Sequence, residues 1–353
     1  MAHGRLQSAG VYIGVSFQLS AQILSESIVP LAAWEAGDSE GIKRGSRHAI
    51  PRPEESVIET EVLVQVPTTG VGKLRLVEYT DPYSIWCWGC EPLIRRVEQV
   101  YPDGVDLEIR MGGLFEDFGP MREQFSRMSG GQWKESVLAF MNAVAEHHQM
   151  PMDPVAMMET IEDFKSTWPA CVAVKAAERQ GTPVGRKYLR RLREASLLEG
   201  RAIHRPEVQQ KLAAEVGLHV GKFTRALEDG SARAAFEGDL QECKAHRVTG
   251  FPTFECGRGE VSLRIEGWQP WETFDENLRK LDPQLEAREI AATKGNALVL
   301  LHHYGRCATR EVSAVFGVTD DESSLLLEEL EADGKVYRRE VGKGVVWELP
   351  SKT

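Results

Sequence analysis

The length and composition of this chain indicate a folded protein with more than one domain. It has 353 residues, of which 42% are hydrophobic and 27% are charged, so an intrinsically disordered chain is excluded. Its formal net charge of −11 argues against a general nucleic-acid binder and against an anionic membrane surface as partner.

The apolar stretches and the cysteines predict the cellular compartment of the protein. No apolar run approaches the roughly 18–20 residues that a membrane span needs. The mildly apolar stretch from Val11 to Leu24 is interrupted by polar residues, which makes it a poor signal peptide. The six cysteines are too few for a disulfide scaffold of this size. We therefore predict a cytoplasmic protein without a membrane partner, whose thiols are in a reducing environment.

The first 58 residues have the composition of a linker. The stretches from Ala36 to Gly41 and from Pro51 to Glu55 combine glycine or proline with charged residues. We predict a weakly ordered N-terminal extension over residues 1–58. A strand pattern at residues 61–66 then opens the next domain, which we place at residues 59–285.

A strand–helix–strand pattern follows. A strand is predicted from Lys73 to Thr80. Apolar and polar residues alternate from Val105 to Met111, which predicts a second, half-buried strand. Between them, a helix is predicted from about Cys87 to Tyr101. Over about 40 residues this makes a βαβ unit, for which a right-handed crossover is expected.

Cys87 and Cys90 stand at the start of that predicted helix. A helix start supplies unpaired N–H groups and the positive end of a dipole, and both favour a thiolate. A Cys-x-x-Cys pair near a βαβ unit is typical of a thioredoxin-like redox motif. No metal site is predicted, because a structural zinc needs four ligands and no second such pair exists. The adjacent His147 and His148 lack i, i+4 ligand spacing, and we predict both on the surface.

A long helical block separates this unit from the next strands. Helical periodicity recurs from about Met121 to Arg247, with proline and glycine between the segments. Strand patterns return at Pro252 to Cys256 and at Val261 to Ile265, and a helix from Pro270 to Leu281 follows. We predict an α/β thioredoxin-like fold with a helical insertion at about residues 118–247.

The last segment, residues 286–353, predicts a small winged-helix-like α+β domain. Three helices are predicted at residues 291–304, 309–316 and 320–333, followed by a β-hairpin. In such domains the third helix usually binds in the major groove of DNA. Here it carries seven acidic residues and no Lys or Arg. Because phosphates would be repelled by that face, we favour protein interaction or dimerisation over DNA binding.

Two motifs make the chain similar to the DsbA-like family of thioredoxin-fold proteins. Residues 81–92 resemble the Asp-Pro-x-Cys-x-Trp-Cys-Trp-Gly-x-Glu-Pro signature of cytoplasmic DsbA-like and FrnE-like thiol–disulfide oxidoreductases. Residues 249–254 resemble the Gly-Val-Pro-Thr-Phe segment that carries a cis-proline beside the redox site. Residues 166–171 resemble a helix start inside the family's insertion. The resemblance, from about Leu74 to Leu281, implies a redox-active thiol pair beside a cis Pro252.

The match to this signature has one departure. The family's first cysteine falls on Ser84 and its second on Cys87, so the Cys87–Cys90 pair lies about one helical turn deeper. A serine hydroxyl stays protonated at neutral pH and cannot replace a thiolate. Catalysis then requires Cys87 to attack a substrate disulfide and Cys90 to resolve the mixed intermediate.

The resemblance also implies which residues would contact a substrate. The segment around the cis-proline would hold an extended substrate strand beside the thiol. For the tryptophans of the motif, packing in the core is an equal alternative. The candidate substrate-binding residues are Ser84, Trp86, Trp88, Phe251, Pro252 and Thr253.

The favoured function is thiol–disulfide exchange on protein or peptide substrates, without a cofactor. Two alternatives stay open. Some bacterial relatives deliver client proteins to a protease, and Ser84 together with the added C-terminal domain fits such a non-enzymatic adaptor. Kappa-type glutathione transferases and isomerases share the helical insertion and use a serine at the position of Ser84, which makes glutathione a candidate ligand. The oligomeric state is not predicted.

Overall fold

The computed structural model describes residues 72–259 and 261–350. The predicted extension over residues 1–58 and the predicted strand at residues 61–66 lie outside these ranges. Among the residues described, no helix is both long enough and apolar enough to cross a membrane.

A four-stranded mixed sheet forms the centre of the fold. Its strands, in the order β2-β1-β3-β4, are β1 (Leu74–Thr80), β2 (Val105–Met111), β3 (Thr253–Arg258) and β4 (Val261–Glu266). β1 runs parallel to β2 and antiparallel to β3, so Leu76 lies between Leu107 and Cys256. Six of the seven residues of β1 are buried, because helices cover both faces of the sheet. The strands predicted within the described residues are confirmed.

The segment after β1 forms two helices where the sequence predicts one. α1 (Ile85–Gly89) starts two residues before the predicted helix, with Ser84 as its N-cap. α2 (Glu91–Val100) follows after Cys90. Pro92 explains the break, since a proline has no N–H to donate and its ring clashes with the carbonyl four residues earlier in a continuous helix.

Eight helices lie between β2 and β3, so the predicted insertion is present. They are α3 (Gly119–Met128), α4 (Trp133–His148), α5 (Pro154–Met158), α6 (Trp168–Glu178), α7 (Thr182–Leu197), α8 (Pro206–Glu215), α9 (Val220–Glu228) and α10 (Ser231–Ala245). One of their cores includes Ile109 and Met111 at the end of β2, and a second core surrounds Trp86 and Trp88. On the other face of the sheet, α11 (Trp271–Leu281) packs beside α2.

The C-terminal part contains the predicted three helices and hairpin. Its elements are α12 (Lys294–Tyr304), β5 (Arg306–Ala308), α13 (Thr309–Phe316), α14 (Asp320–Ala332), β6 (Tyr337–Val341) and β7 (Gly344–Glu348). The short strand β5 was not predicted, and it pairs with β7 to complete a sheet in the order β5-β7-β6. The winged-helix interpretation and the domain boundary near residue 286 stay predictions.

The turn of this hairpin packs against the helical insertion. A Cβ atom on Gly342 would collide with the carbonyl oxygen of Met152, so the two backbones are in direct contact. Val341 on β6 and Val346 on β7 belong to the same hydrophobic cluster as Met152. The hairpin therefore helps to join the C-terminal part to the rest of the molecule.

The contact at Gly342 gives a stability test with a matched control. Gly342 and Gly334 both have positive φ, of +56° and +66°, but nothing lies within 4 Å of a Cβ added at Gly334. Both alanine substitutions incur the left-handed backbone cost of about 1–2 kcal/mol. We expect Gly342→Ala to lower the free energy of unfolding in urea by about 1–3 kcal/mol more than Gly334→Ala, because of the added clash. Equal losses would contradict the packing described for this turn.

Candidate functional site

A buried carboxylate holds the turn that carries the predicted site. Asp81 Oδ1 accepts a hydrogen bond from the Tyr83 N–H, and Oδ2 accepts one from the Leu114 N–H, each at 2.8 Å. The thiol of Cys171 on α6 also donates to Oδ2, at 3.2 Å. Burial raises the pKa of Asp81, although these hydrogen bonds oppose the effect. Asp81 thereby ties the end of β1 to the loop after β2 and to the insertion.

Ser84 and Cys87 stand together in the first turn of α1. The Cys87 N–H donates to Ser84 Oγ at 3.2 Å, so a serine hydroxyl caps the helix start. The Cys87 side chain is 0% exposed and belongs to a hydrophobic cluster with Cys243 and Phe251. The capping oxygen belongs to Ser84, and the thiol lies behind it in the core.

The surroundings of Cys87 oppose ionisation of its thiol. Burial raises the pKa of Cys87 to about 11, because an apolar cluster solvates a thiolate poorly. The guanidinium of Arg193 acts in the opposite direction, and the carboxyl group of Glu78 raises the pKa further. The helix start therefore does not produce the ionised thiol that its position in the sequence suggests.

Cys90 is also completely buried, but in a different cluster. Its N–H donates to the Cys87 carbonyl at 3.1 Å, and its side chain packs with Leu74 and Phe254. Burial raises the pKa of the Cys90 thiol well above its ordinary value, and the neighbouring Cys87 adds to the effect. Both cysteines are free thiols. Their assignment as attacking and resolving groups stays a prediction, which this burial does not favour.

The two motif tryptophans lie in the core and do not line an open groove. Trp88 is fully buried, its Nε1–H donates to the Pro151 carbonyl at 2.9 Å, and the Arg190 guanidinium lies 4.4 Å from its ring centroid. Trp86 is buried edge-on against His147, with 5.4 Å between ring centroids. Of the two alternatives for these residues, the structure shows core packing.

The predicted substrate-strand segment is likewise buried. The Phe251–Pro252 peptide bond is cis. The Phe251 ring fills the space beside Gly112, and Thr253 Oγ1 donates to the Gly250 carbonyl at 2.8 Å. Because all three residues are buried, their contact with a substrate stays a prediction.

One of the two histidines predicted on the surface is in the core. His148 is 1% exposed, and its ring lies so close to Gly89 that a Cβ there would be 2.6 Å from it. Burial lowers the pKa of His148 to about 3, with a further contribution from His147. His147 itself is exposed, as predicted.

Across residues 72–259 and 261–350, no group of three or more His, Cys, Asp or Glu side chains could hold a metal ion.

A buried network of charges lies behind the cysteine pair. Arg193 on α7 donates to Glu91 Oε1 on α2 at 2.6 Å, to Glu78 Oε1 on β1 at 3.2 Å, and to the hydroxyl of Thr80. All four side chains are buried. This arginine thus joins the sheet, the helix after the cysteines and the insertion.

The network continues into the C-terminal part. Arg190 on α7 contacts Glu91 at 3.2 Å and Glu311 on α13 at 2.9 Å. Glu311 also pairs with Arg95 on α2, and it accepts a hydrogen bond from the Ala308 N–H at 2.7 Å. Sequence reasoning missed this network. A charged residue inside an apolar strand, as Glu78 is, was the available signal.

The pKa values of the two carboxyl groups beside Arg193 shift in opposite directions. Burial raises the pKa of Glu78, and Arg193 only partly offsets the effect. Burial acts on Glu91 too, but Arg190, Arg193 and Arg95 together outweigh it and lower its pKa to about 2. Glu91 is therefore the ionised partner of the arginines over the physiological pH range.

The burial of Cys87 predicts slow alkylation. The thiolate fraction falls tenfold for each pKa unit, so a pKa of about 11 implies a rate with iodoacetamide at pH 7 at least about a hundredfold below that of glutathione. Site-resolved mass spectrometry of the folded protein measures this rate. The rate should still rise between pH 9 and 10, and urea-unfolded protein should react at the ordinary rate. A rate that levels off below pH 8 would contradict the burial argument.

The lowered pKa of Glu91 predicts an acid-sensitive contribution to stability. Because its folded pKa of about 2 lies below the ordinary 4.5, this stabilisation is present above about pH 4.5 and is lost as the pH falls toward 2. We expect Glu91→Gln to lower the free energy of unfolding at pH 7 by about 3–5 kcal/mol, since it leaves buried arginines underpaired. The decline between pH 4.5 and 2 should become shallower. Glu340→Gln, at the exposed Arg338–Glu340 pair, is the control and should leave that decline unchanged.

Comparison with known proteins identifies relatives along most of the chain. The thioredoxin family model matches residues 78–276. A ClpXP adapter protein SpxH from Shouchella clausii is 25% identical over 278 residues, which cover 78% of this chain and 88% of the relative. The ClpXP adapter protein SpxH from Bacillus subtilis is 22% identical over 278 residues, with the same coverage.

Solved structures of thioredoxin-fold enzymes are also similar. A probable DsbA oxidoreductase from Streptomyces coelicolor is 19% identical, with a TM-score of 0.49 over 62% of this chain and 94% of that one. The cytosolic disulfide reductase DsbM from Pseudomonas aeruginosa is 25% identical, with a TM-score of 0.47 over 59% of this chain and 99% of that one. The family match spans more than half of the chain and includes the central sheet with its helical insertion. This chain therefore belongs to the thioredoxin family, and it carries a helical insertion between β2 and β3.

Proposed function

We propose that this protein is an adaptor, which binds a client protein through its folded surface and needs no thiol chemistry to do so. The observation that carries the proposal is the burial of both thiols of the Cys87–Cys90 pair behind a helix start that is capped by Ser84.

Thiol–disulfide exchange requires a thiolate that a substrate disulfide can reach. At pH 7, a thiol with a pKa of about 11 is ionised in roughly one molecule in ten thousand. Both cysteines are 0% exposed. Ser84 is the residue at the helix start, and its hydroxyl does not ionise. Disulfide exchange needs a thiol that is ionised and that a substrate can reach, and the geometry around Cys87 and Cys90 favours neither.

The relatives support the same conclusion. Several proteins that align with about four-fifths of this chain are named ClpXP adapter protein SpxH. An adapter has to hold more than one protein, and a molecule in which a second folded part is fixed rigidly to the first offers two surfaces for that task. The buried Arg190–Glu311 and Arg95–Glu311 pairs supply this rigidity. The predicted cytoplasmic location belongs to this proposal.

Disulfide exchange by Cys87 and Cys90 is the competing candidate, because the family's fold hosts it and the Cys-x-x-Cys pair is present. It predicts that client binding depends on the thiols. Glutathione binding near Ser84 stays a prediction of the sequence.

The test compares the full-length chain with its Cys87→Ser/Cys90→Ser variant. We expect both proteins to capture the same client from a lysate of the source cells, in equal amounts and unaffected by dithiothreitol, because the contact is non-covalent. Insulin reduction should remain at the uncatalysed rate for both. The control is Cys256→Ser, which alters a buried thiol in β3 outside the motif. Loss of client capture in the double variant, or insulin reduction that only the unaltered chain accelerates, would overturn the proposal.

A further inference from the structure

A crevice of about 250 Å³ lies between the thioredoxin-like part and the C-terminal part, and the site described above does not use it. Its walls come from α1 and α2, from the C-terminal end of α4, from the loop between β4 and α11 with the start of α11, and from α13 and the residues after it. The residues that matter most are Arg96, His148, Trp268, Trp271, Arg310 and Gly317.

Arg96 is a cation in this crevice without a carboxylate partner. Its guanidinium carbon lies 4.3 Å from the Trp271 ring centroid, and a Cβ on Gly317 would lie 3.1 Å from its Nη2. Within residues 72–259 and 261–350, its Nε has no hydrogen-bond partner and no carboxylate oxygen lies within 4 Å. The preceding Arg95, by contrast, is paired with Glu311. The carboxyl groups of Glu272 and Asp275 act on Arg96 from beyond ion-pair distance. A partly buried guanidinium without a carboxylate in direct contact favours an incoming anion.

His148 adds an uncharged donor to the same wall. Its Nδ1 accepts a hydrogen bond from the Met150 N–H at 3.0 Å, so the proton of the neutral ring is on Nε2. That Nε2–H meets no acceptor among the described residues, although His148 is 1% exposed. Two residues that line one crevice, on different helices, therefore each carry a buried donor nitrogen without an acceptor.

The other charged groups of the crevice leave Arg96 without a direct ion pair. Arg310 also lines it and pairs at 3.5 Å with Asp320, which lies outside the lining. Glu272 is the carboxylate of the lining, and it is exposed. Arg96 is thus the guanidinium of the crevice that has no ion-pair partner among the described residues, and two indole rings supply apolar surface beside it.

We propose that this crevice binds an acidic side chain of a partner polypeptide, with the carboxylate on Arg96 and an adjacent apolar side chain against Trp268 and Trp271. A volume of about 250 Å³ accommodates such a pair of side chains but is small for a nucleotide. The proposal rests on the proposed function in that the partner is a protein. It adds that the partner is recognised where the two parts of the chain meet.

The test uses two fluorescein-labelled, end-blocked nonapeptides that carry Glu-Phe or Gln-Phe at the centre of a Gly/Ser background. Anisotropy titration with the full-length chain should show the Glu peptide binding at least about tenfold tighter, since only it supplies a charge to Arg96. Arg96→Gln should abolish this difference, and Arg96→Lys should retain part of it. Arg127→Gln, at an exposed arginine of α3, is the matched control and should bind as the unaltered chain does.

Three results would overturn the inference. The first is equal affinity of the unaltered chain for both peptides, and the second is a Glu preference that survives in Arg96→Gln. The third is displacement of the Glu peptide by sodium acetate at equal molar concentration, which would indicate a site for small free anions. Thermal unfolding of each variant checks that the fold is retained. Client capture that persists in Arg96→Gln would leave the adaptor proposal intact while this inference fails, so the two failures are distinguishable.

Discussion

The buried pairing of Arg193 with Glu78 and Glu91 is the constraint on which the rest of the structure depends. Removing these charges from water costs several kcal/mol per ion, so the arrangement is stable only when every partner is in place. The partners come from β1, α2 and α7, and Arg190 extends the network to Glu311 on α13. The sheet, the insertion and the C-terminal part must therefore assemble together before the network is satisfied.

The same network explains why the cysteine motif is present without a reactive thiol. The positive charge of Arg193 lowers the pKa of Cys87, but Glu78 opposes it and burial outweighs both. Arg193 already pairs with Glu78 and Glu91, and these pairs reduce the effect of its positive charge on Cys87. A guanidinium placed near a thiol activates it only if it is not already neutralised.

Local patterns predicted much of this fold. The alternation in β2 and the helical periods of the insertion each reflect burial of one face, which the sequence records directly. Other features depended on contacts that no local pattern contains. Pro92 could have predicted the helix break after Cys90, whereas the burial of His148 depends on its contact with Gly89, 59 positions away. Arg193 and its partners come from three separate segments, β1, α2 and α7, so the sequence does not show that they meet.

The contact between the hairpin turn and Met152 bears on how this protein can be divided. Val341 and Val346 are part of a hydrophobic cluster that belongs mostly to the insertion. In a C-terminal fragment that begins near residue 286, these side chains would be exposed to solvent, and Glu311 would lack its arginine partners. The remaining piece would display the matching methionines to solvent. Because both fragments would expose apolar surface, we expect them to self-associate. Expressing the parts separately, or exchanging them between homologues, is therefore unsuitable for this molecule.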